Sequence, residues 1–400
     1  MSATRQLQFV IAFSLAALMA LVIALPAPAA QAPCGGRQIN TVKGCQHPVQ
    51  VKRQLEQIVK SRKTDNRLQA VIARVDIGGR TLLRRAFGQS QAGVPATPAM
   101  NFRIGSMTIP MLTTVVYQLR EQGKLRLTDP VSRWLPDLPH ASKVTVRNLM
   151  NNTSGYYDWI QGNDQFVDKV FANPFRIWSE KQLLDTALGR GTACEPGACF
   201  NYAHTNFLIL ARIVRKILPG ETLVAHLQQR VLRPLKIKAS FSRLAPIPTP
   251  ALGAYLSDRG FFEQTTGWSP SWGLGNGMLA TTSIDNVARI ASGVLAGRTL
   301  GTWARKDLVR RYAPGLGPDG RFYFAQGLIY ADGWLRQNPF FNGYMGNVAW
   351  FPGKRIAVSL VGTRGAHTTS PSGVNVTDEI LFDIAAYLTP SNSPAPPPAS

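Results

Sequence analysis

Residues 102–139 read FRIGSMTIPMLTTVVYQLREQGKLRLTDPVSRWLPDLP, and this stretch decides how the chain is read. Met111, Leu112, Val115, Val116 and Leu119 recur at helical spacing, and Gly123 stands where a helix should stop. Ser106 therefore falls at the start of a helix. Amides at a helix start lack intrahelical acceptors and carry the positive end of the helix dipole. The same position is a common one for a serine that caps the helix. Pro110 is unusual because it removes an amide and a hydrogen bond from the first turn.

Upstream, residues 46–63 read as a helix with Val51, Leu55 and Val59 on one face. The stretch LQAVIARVDIGGRTLLRRAFG, 68–88, reads as two strands joined at Gly78-Gly79. Downstream, the chain is helical with loops to about Ser240. It ends in the strands GNVAWF and RIAVSLVGT, joined by a Pro-Gly-Lys turn, and an amphipathic helix from about Thr377 to Leu388. Strands at both ends with helices between predict an α/β chain of the α+β sandwich type. Its antiparallel sheet is formed by the N- and C-terminal segments and flanked by helices, with a helical lobe inserted at about 107–250. The domain is expected over 46–388, without internal repeats, and the tail 389–400 (ending SPAPPPAS) reads as disordered or polyproline-like.

The first 32 residues read as an export signal: Arg5, an uncharged apolar run from Phe9 to Leu25, then PAPAAQA with Ala29 or Ala32 as the cleavage point. The alternative is an uncleaved membrane anchor, although Pro26 and Pro28 break the helix. Lipidation of Cys34 fits poorly, because Pro33 precedes it and an odd number of cysteines would remain. Four cysteines in an exported chain imply two bridges. Three pairings are open, and the short loops favour Cys34 with Cys45 and Cys194 with Cys199. The alternative is a free, buried thiol.

Forty-four basic and 22 acidic residues leave a net charge of +22, which in an exported protein points to an anionic envelope polymer or lipid surface, or to a general compositional bias. Nucleic acid is not expected. The arginines are scattered, and zinc spacing, an aromatic RNA-binding signature and a basic helix are all absent from the sequence. Five histidines and four cysteines show no metal-ligand spacing, so neither metal nor cofactor is expected.

Several blocks, taken in order, resemble the serine β-lactamases and penicillin-binding proteins, specifically the class C β-lactamase and DD-peptidase branch with its esterase relatives. The opening stretch is similar to that family's nucleophile helix followed by its Gly-Lys-Leu-x-Leu-x-Asp-Pro-Val turn. VTVRNLMNNTSGYYDW is similar to the next segment, and CFNYAHTNFLILARIV to the block holding the catalytic tyrosine. LRPLKIKASF resembles the Pro-Leu-Gly-Met connection, and GNGMLATTSIDNVARIASGVLAGRTL the Gly-Gly-x-x-Ser-Thr-x-x-Asp helix start, where Asp285 has a structural place. The likeness runs from about Ala70 to Leu388.

The resemblance implies three elements converging in one cleft, and each departs from the family pattern. Ser-x-x-Lys becomes Ser106-Met107-Thr108-Ile109, so the side chain one turn from the serine cannot accept a proton. Loss of a positioned base costs about 10²–10⁴ in rate. Tyr-x-Asn becomes Tyr202-Ala203-His204. One reading is that Tyr202 and His204 together activate Ser106. The other is that His204 only hydrogen-bonds across the cleft, as asparagine would. Lys-Thr-Gly becomes Gln337-Asn338-Pro339, which removes the counter-charge for a substrate carboxylate. Gln337 and Asn338 either hold a neutral ester or amide or are ordinary strand-end residues. The strand amide of the oxyanion hole is not assignable from sequence.

The resemblance thus implies an extracytoplasmic serine hydrolase acting by acyl transfer through Ser106 on a small-molecule or peptidoglycan-like ester or amide. Efficient β-lactam or D-Ala-D-Ala processing is not expected. The competing expectation is a catalytically silent protein that binds envelope polymers or a partner. Oligomeric state cannot be read from the sequence.

Overall fold

The hairpin at Gly78-Gly79 forms between strands Ala70–Ile77 and Arg80–Gln91, and it builds one end of the principal sheet. A computed structural model describes residues 34–275, 278–312, 320–368 and 375–395; the export signal expected over 1–32 lies outside them. Among the described residues this sheet has nine strands, all paired antiparallel. The C-terminal strand Ile356–Thr363 lies between Tyr344–Phe351 and the N-terminal Ala70–Ile77, so the two ends of the chain close the sheet as expected.

Alternation along these strands fills both faces. Val358 and Leu360 point, with Val71, Ala73 and Val75, to a core closed by helices Pro48–Asp65 and Thr377–Leu388. Ala357, Val361, Ala70 and Ile72 point to the other core, shared with the helical lobe. The first helix starts at His47, whose side chain forms a capping box with Gln50, and Pro48 takes the first turn. Val51, Leu55 and Val59 are fully buried, each contributing about 1.5–3 kcal/mol. Arg62 ties this helix to the last one through Glu379 and Asp383, at 2.9 and 2.6 Å.

The inserted segment packs back on the principal sheet before it rejoins it: residues 284–295 lie against strands Ala70–Ile77, Tyr344–Phe351 and Ile356–Thr363. After Gln91 and the short strand Val94–Pro95, the chain does not rejoin the principal sheet until Phe322–Phe324. Between them lie the helices and a three-stranded sheet of Asn101–Arg103, Ala280–Ser283 and Ser240–Phe241. Strands of two to four residues are too short to show a period. The tail departs from expectation at its start. The Trp334 indole donates to Thr389 Oγ1 and to the Asn392 carbonyl, and Asn392 Nδ2 donates to the Asp332 carbonyl. Both disulfides join the local pairs, Cys34 with Cys45 and Cys194 with Cys199.

Candidate active site

Ser106 sits in a single 3-10 turn, Gly105–Thr108, that runs into the helix Ile109–Glu121. Pro110 therefore occupies the start of the α-helix, where its missing amide leaves no bond unmade, and the cost expected from the sequence does not arise. Ile109 is fully buried and packs beside Gly327 and Thr113. Ser106 remains partly accessible. Gly105 has φ +49°, and a Cβ there would lie 2.6 Å from Pro339 Cβ. Glycine thus lets the sheet edge approach the serine.

That edge is the segment after strand Trp334–Gln337. Residues Phe340–Phe341 turn back on Tyr344–Phe351 through Asn342-Gly343. The Gly346 amide donates to the Pro339 carbonyl at 2.8 Å, and Phe341 faces Tyr344. Hydrogen-bonded and non-bonded pairs alternate in an antiparallel ladder. The Phe340–Met345 pair is the non-bonded one, so the Phe340 N–H points away from that strand, along an edge with no further strand among the described residues. Ser106 in turn stands in the first turn of its helix, where amides lack an intrahelical acceptor.

Tyr202 and His204 are positioned by two loops zipped together. The Asn201 amide donates to the Asn152 carbonyl, and the Ala203 amide and Asn206 Nδ2 both donate to Asn152 Oδ1. The Ala193 amide, just before the loop closed by the Cys194–Cys199 bridge, donates to the Gly155 carbonyl, and the Gly197 amide, within that loop, donates to that of Thr153. The Ser106 and Tyr202 hydroxyls are 3.1 Å apart. His204 turns elsewhere: its Nδ1 lies 2.7 Å from Asp158 Oδ2, and Asp158 is 1% exposed. The His204 ring stands perpendicular to that of Tyr202, 5.2 Å between centroids, with no direct hydrogen bond to Ser106 or Tyr202.

Ser106, Tyr202, His204, Gln337 and Asn338 all line one cleft of about 760 Å³. Phe166, Val170, Phe171, Trp272 and Phe341 make its walls largely apolar. Among its described lining residues there is no lysine or arginine, and the carboxylates are Asp258 and Asp378. Burial pushes the Tyr202 phenol well above its ordinary range; the Ser106 hydrogen bond works against this and the Asp158 charge adds to it. The phenol is therefore protonated at neutral pH. The side-chain amides of Gln337 and Asn338 each already donate once within the protein. Gln337 Nε2 donates to the Gly327 carbonyl at 2.7 Å, and Asn338 Nδ2 to Asp378 Oδ2 at 2.8 Å. Asp378 also receives Arg336 Nη1 and Asn347 Nδ2.

Sequence reasoning thus identified five residues that meet in one cleft and missed three others: Asn152, Asp158 and Phe340. Asn152 and Asp158 stood inside the quoted block 144–159, but their partners lie about fifty residues on, and pairing over that distance leaves no local pattern.

The Beta-lactamase family matches residues 55–373. Over 208 residues the chain is 26% identical to the putative penicillin-binding protein PbpX of Bacillus subtilis (strain 168), covering 50% of each chain. Over 186 residues it is 28% identical to esterase EstB of Burkholderia gladioli, covering 44% of this chain and 47% of that one. The chain thus spans about half the length of these curated relatives. In three dimensions it is similar to a D-stereospecific amidohydrolase from Streptomyces sp., with a TM-score of 0.72 and 20% identity, covering 86% of this chain and 100% of that one. A sheet closed by both chain ends, a serine at a helix start facing a tyrosine across the cleft, and a family match over most of the length agree: the chain belongs to the beta-lactamase family of serine hydrolases and penicillin-binding proteins.

Proposed function

We propose that this protein is an exported hydrolase that transfers an uncharged acyl group from an ester or amide of the cell envelope to Ser106. The observation that carries this reading is the 3.1 Å contact between the Ser106 and Tyr202 hydroxyls at an apolar cleft. In the proposed reaction Ser106 Oγ attacks the carbonyl carbon, and the Ser106 and Phe340 amides hold the developing oxyanion. Tyr202 serves as a donor, because burial keeps its phenol protonated. The absence of lysine and arginine from the described lining argues for a neutral substrate over one bearing a carboxylate. The printed names of the relatives, an esterase and an amidohydrolase, support the same bond classes. Two disulfides support an oxidising, extracytoplasmic setting.

One observation favours a second reading, a silent binding protein: Ile109 is sealed in the core where the family's lysine would stand. Steady-state hydrolysis separates the two. Neutral p-nitrophenyl esters should be cleaved with kcat/KM far above that for a carboxylate-bearing penicillin, and Ser106→Ala should abolish the cleavage. Absence of any turnover dependent on Ser106 would favour the binding protein.

A further inference from the structure

We infer that Asp158 and His204 form the proton-handling pair of this site, taking over the work that Ile109 cannot do; this rests on the hydrolase reading above. Four titratable side chains line the cleft among its described residues: Tyr202, His204, Asp258 and Asp378. Three of them are poorly suited to be the final acceptor of the serine's proton. Tyr202 is held protonated by burial and by the Asp158 charge. Asp378 is occupied by Arg336, Asn338 and Asn347. Asp258 lies in the field of the Arg364 guanidinium. His204 is left.

Its geometry suits the task. Nδ1 is fixed at 2.7 Å from Asp158 Oδ2. The carboxylate accepts the Nδ1 proton, so the lone pair of the neutral ring resides on Nε2. Nε2 has no protein partner among the described residues, and His204 lines the cleft. The other Asp158 oxygen is buried without a hydrogen bond. His204 Nδ1 is thus the carboxylate's hydrogen-bond partner among the described residues, and an imidazolium formed there is stabilised on the spot. Asp158 is a positioning residue; the Trp159 ring packs on His204 from the next position, 5.9 Å between centroids.

The proton balance is as follows. As Ser106 Oγ bonds to the acyl carbon, its proton passes to the Tyr202 oxygen. The Tyr202 proton passes through one cleft water to His204 Nε2. When the acyl–leaving group bond breaks, the imidazolium returns that proton to the leaving oxygen or nitrogen. A second water then gives its proton to His204 as it attacks the acyl-enzyme, and Ser106 regains a proton as the acid departs. The relay needs a bridging water because the Tyr202 and His204 rings do not bond directly. General-base geometry is often looser before substrate binds.

The test measures the rate of fluorophosphonate labelling in the full chain, with thermal melting of each variant alongside. His204→Gly should label about 10²-fold or more slowly than wild type, and added imidazole should restore much of that rate. Asp158→Asn should slow labelling with little change in the binding step, and Asp158→Glu should recover part of it. A folded His204→Gly that labels within about threefold of wild type, or whose loss imidazole does not rescue, overturns the inference while leaving Ser106 as the nucleophile. Should Asp158→Asn fail to fold, the His204→Gly and imidazole arm decides alone. Wild type that takes no label, or Ser106→Ala that labels equally well, overturns the hydrolase reading and this inference together.

Discussion

The hydroxyls of Ser106 and Tyr202 meet at 3.1 Å although 96 residues separate them in sequence. The contact depends on the zipped loops around Asn152 and the Cys194–Cys199 bridge, and on Gly105, which admits the sheet edge. Tyr202 also packs against Phe207 and Phe324. Removing only its hydroxyl should therefore leave the ring in place. Tyr202→Phe should lower ester hydrolysis by about 10²–10⁴ with little change in melting temperature. Activity within a few-fold of wild type would mean that the phenol is only a packing group.

Ile109 should resist becoming a lysine. It is fully buried beside Gly327 and Thr113, so an ammonium there would be desolvated. Ile109→Lys should lose roughly 2 kcal/mol or more of stability, measured by urea unfolding. A variant as stable as wild type would show that the amine reaches the Ser106 and Tyr202 hydroxyls and finds its partners there.

Gly155 holds the loop junction in a conformation that alanine would strain, with φ +81° and a Cβ position only 2.1 Å from the Cys194 carbonyl oxygen. Gly123 also has positive φ, +70°, but a Cβ there meets nothing within 4 Å. Gly123→Ala should cost about 1–2 kcal/mol, the backbone strain alone. Gly155→Ala should cost clearly more, with activity falling as Tyr202 loses its place. Equal melting shifts for the two variants would contradict the close approach of these loops.

Asp285 sits between Arg84 and Arg74, at 2.7 and 2.8 Å, joining the start of helix Ile284–Arg289 to the first hairpin. The Arg84 hydrogen bond holds its carboxyl below the usual range; partial burial opposes this and Arg74 adds to it. A lowered folded pKa stabilises the fold above the unfolded carboxylate range, near 4, and that stability is lost as pH falls through the folded value. Asp285→Asn should therefore destabilise by roughly 1 kcal/mol at pH 7, with the difference shrinking in acid. Urea midpoints at both pH values check this, and a difference independent of pH would count against it.

Much of the fold was legible because its signals are local. The 3.6-residue period of Thr377–Leu388, the Gly78-Gly79 turn and the alternation in Ile356–Thr363 each lie within one element. The departures from the family pattern were legible too, since Ile109, His204 and Gln337 are single letters at aligned positions. Their consequences were not. That Gln337 spends its amide on Gly327, or that His204 turns to Asp158, depends on where other segments pass. The Pro110 reading failed because the sequence did not reveal the 3-10 turn that moves the helix start to Ile109.

The central claim is that Ser106 forms an acyl-enzyme despite Ile109. Intact-protein mass spectrometry after millisecond mixing with a neutral p-nitrophenyl ester tests it most directly. The account predicts one added acyl group, mapped by peptide sequencing to Ser106, absent in Ser106→Ala and decaying by hydrolysis. No adduct on the wild type, or an adduct that persists in Ser106→Ala, would contradict it.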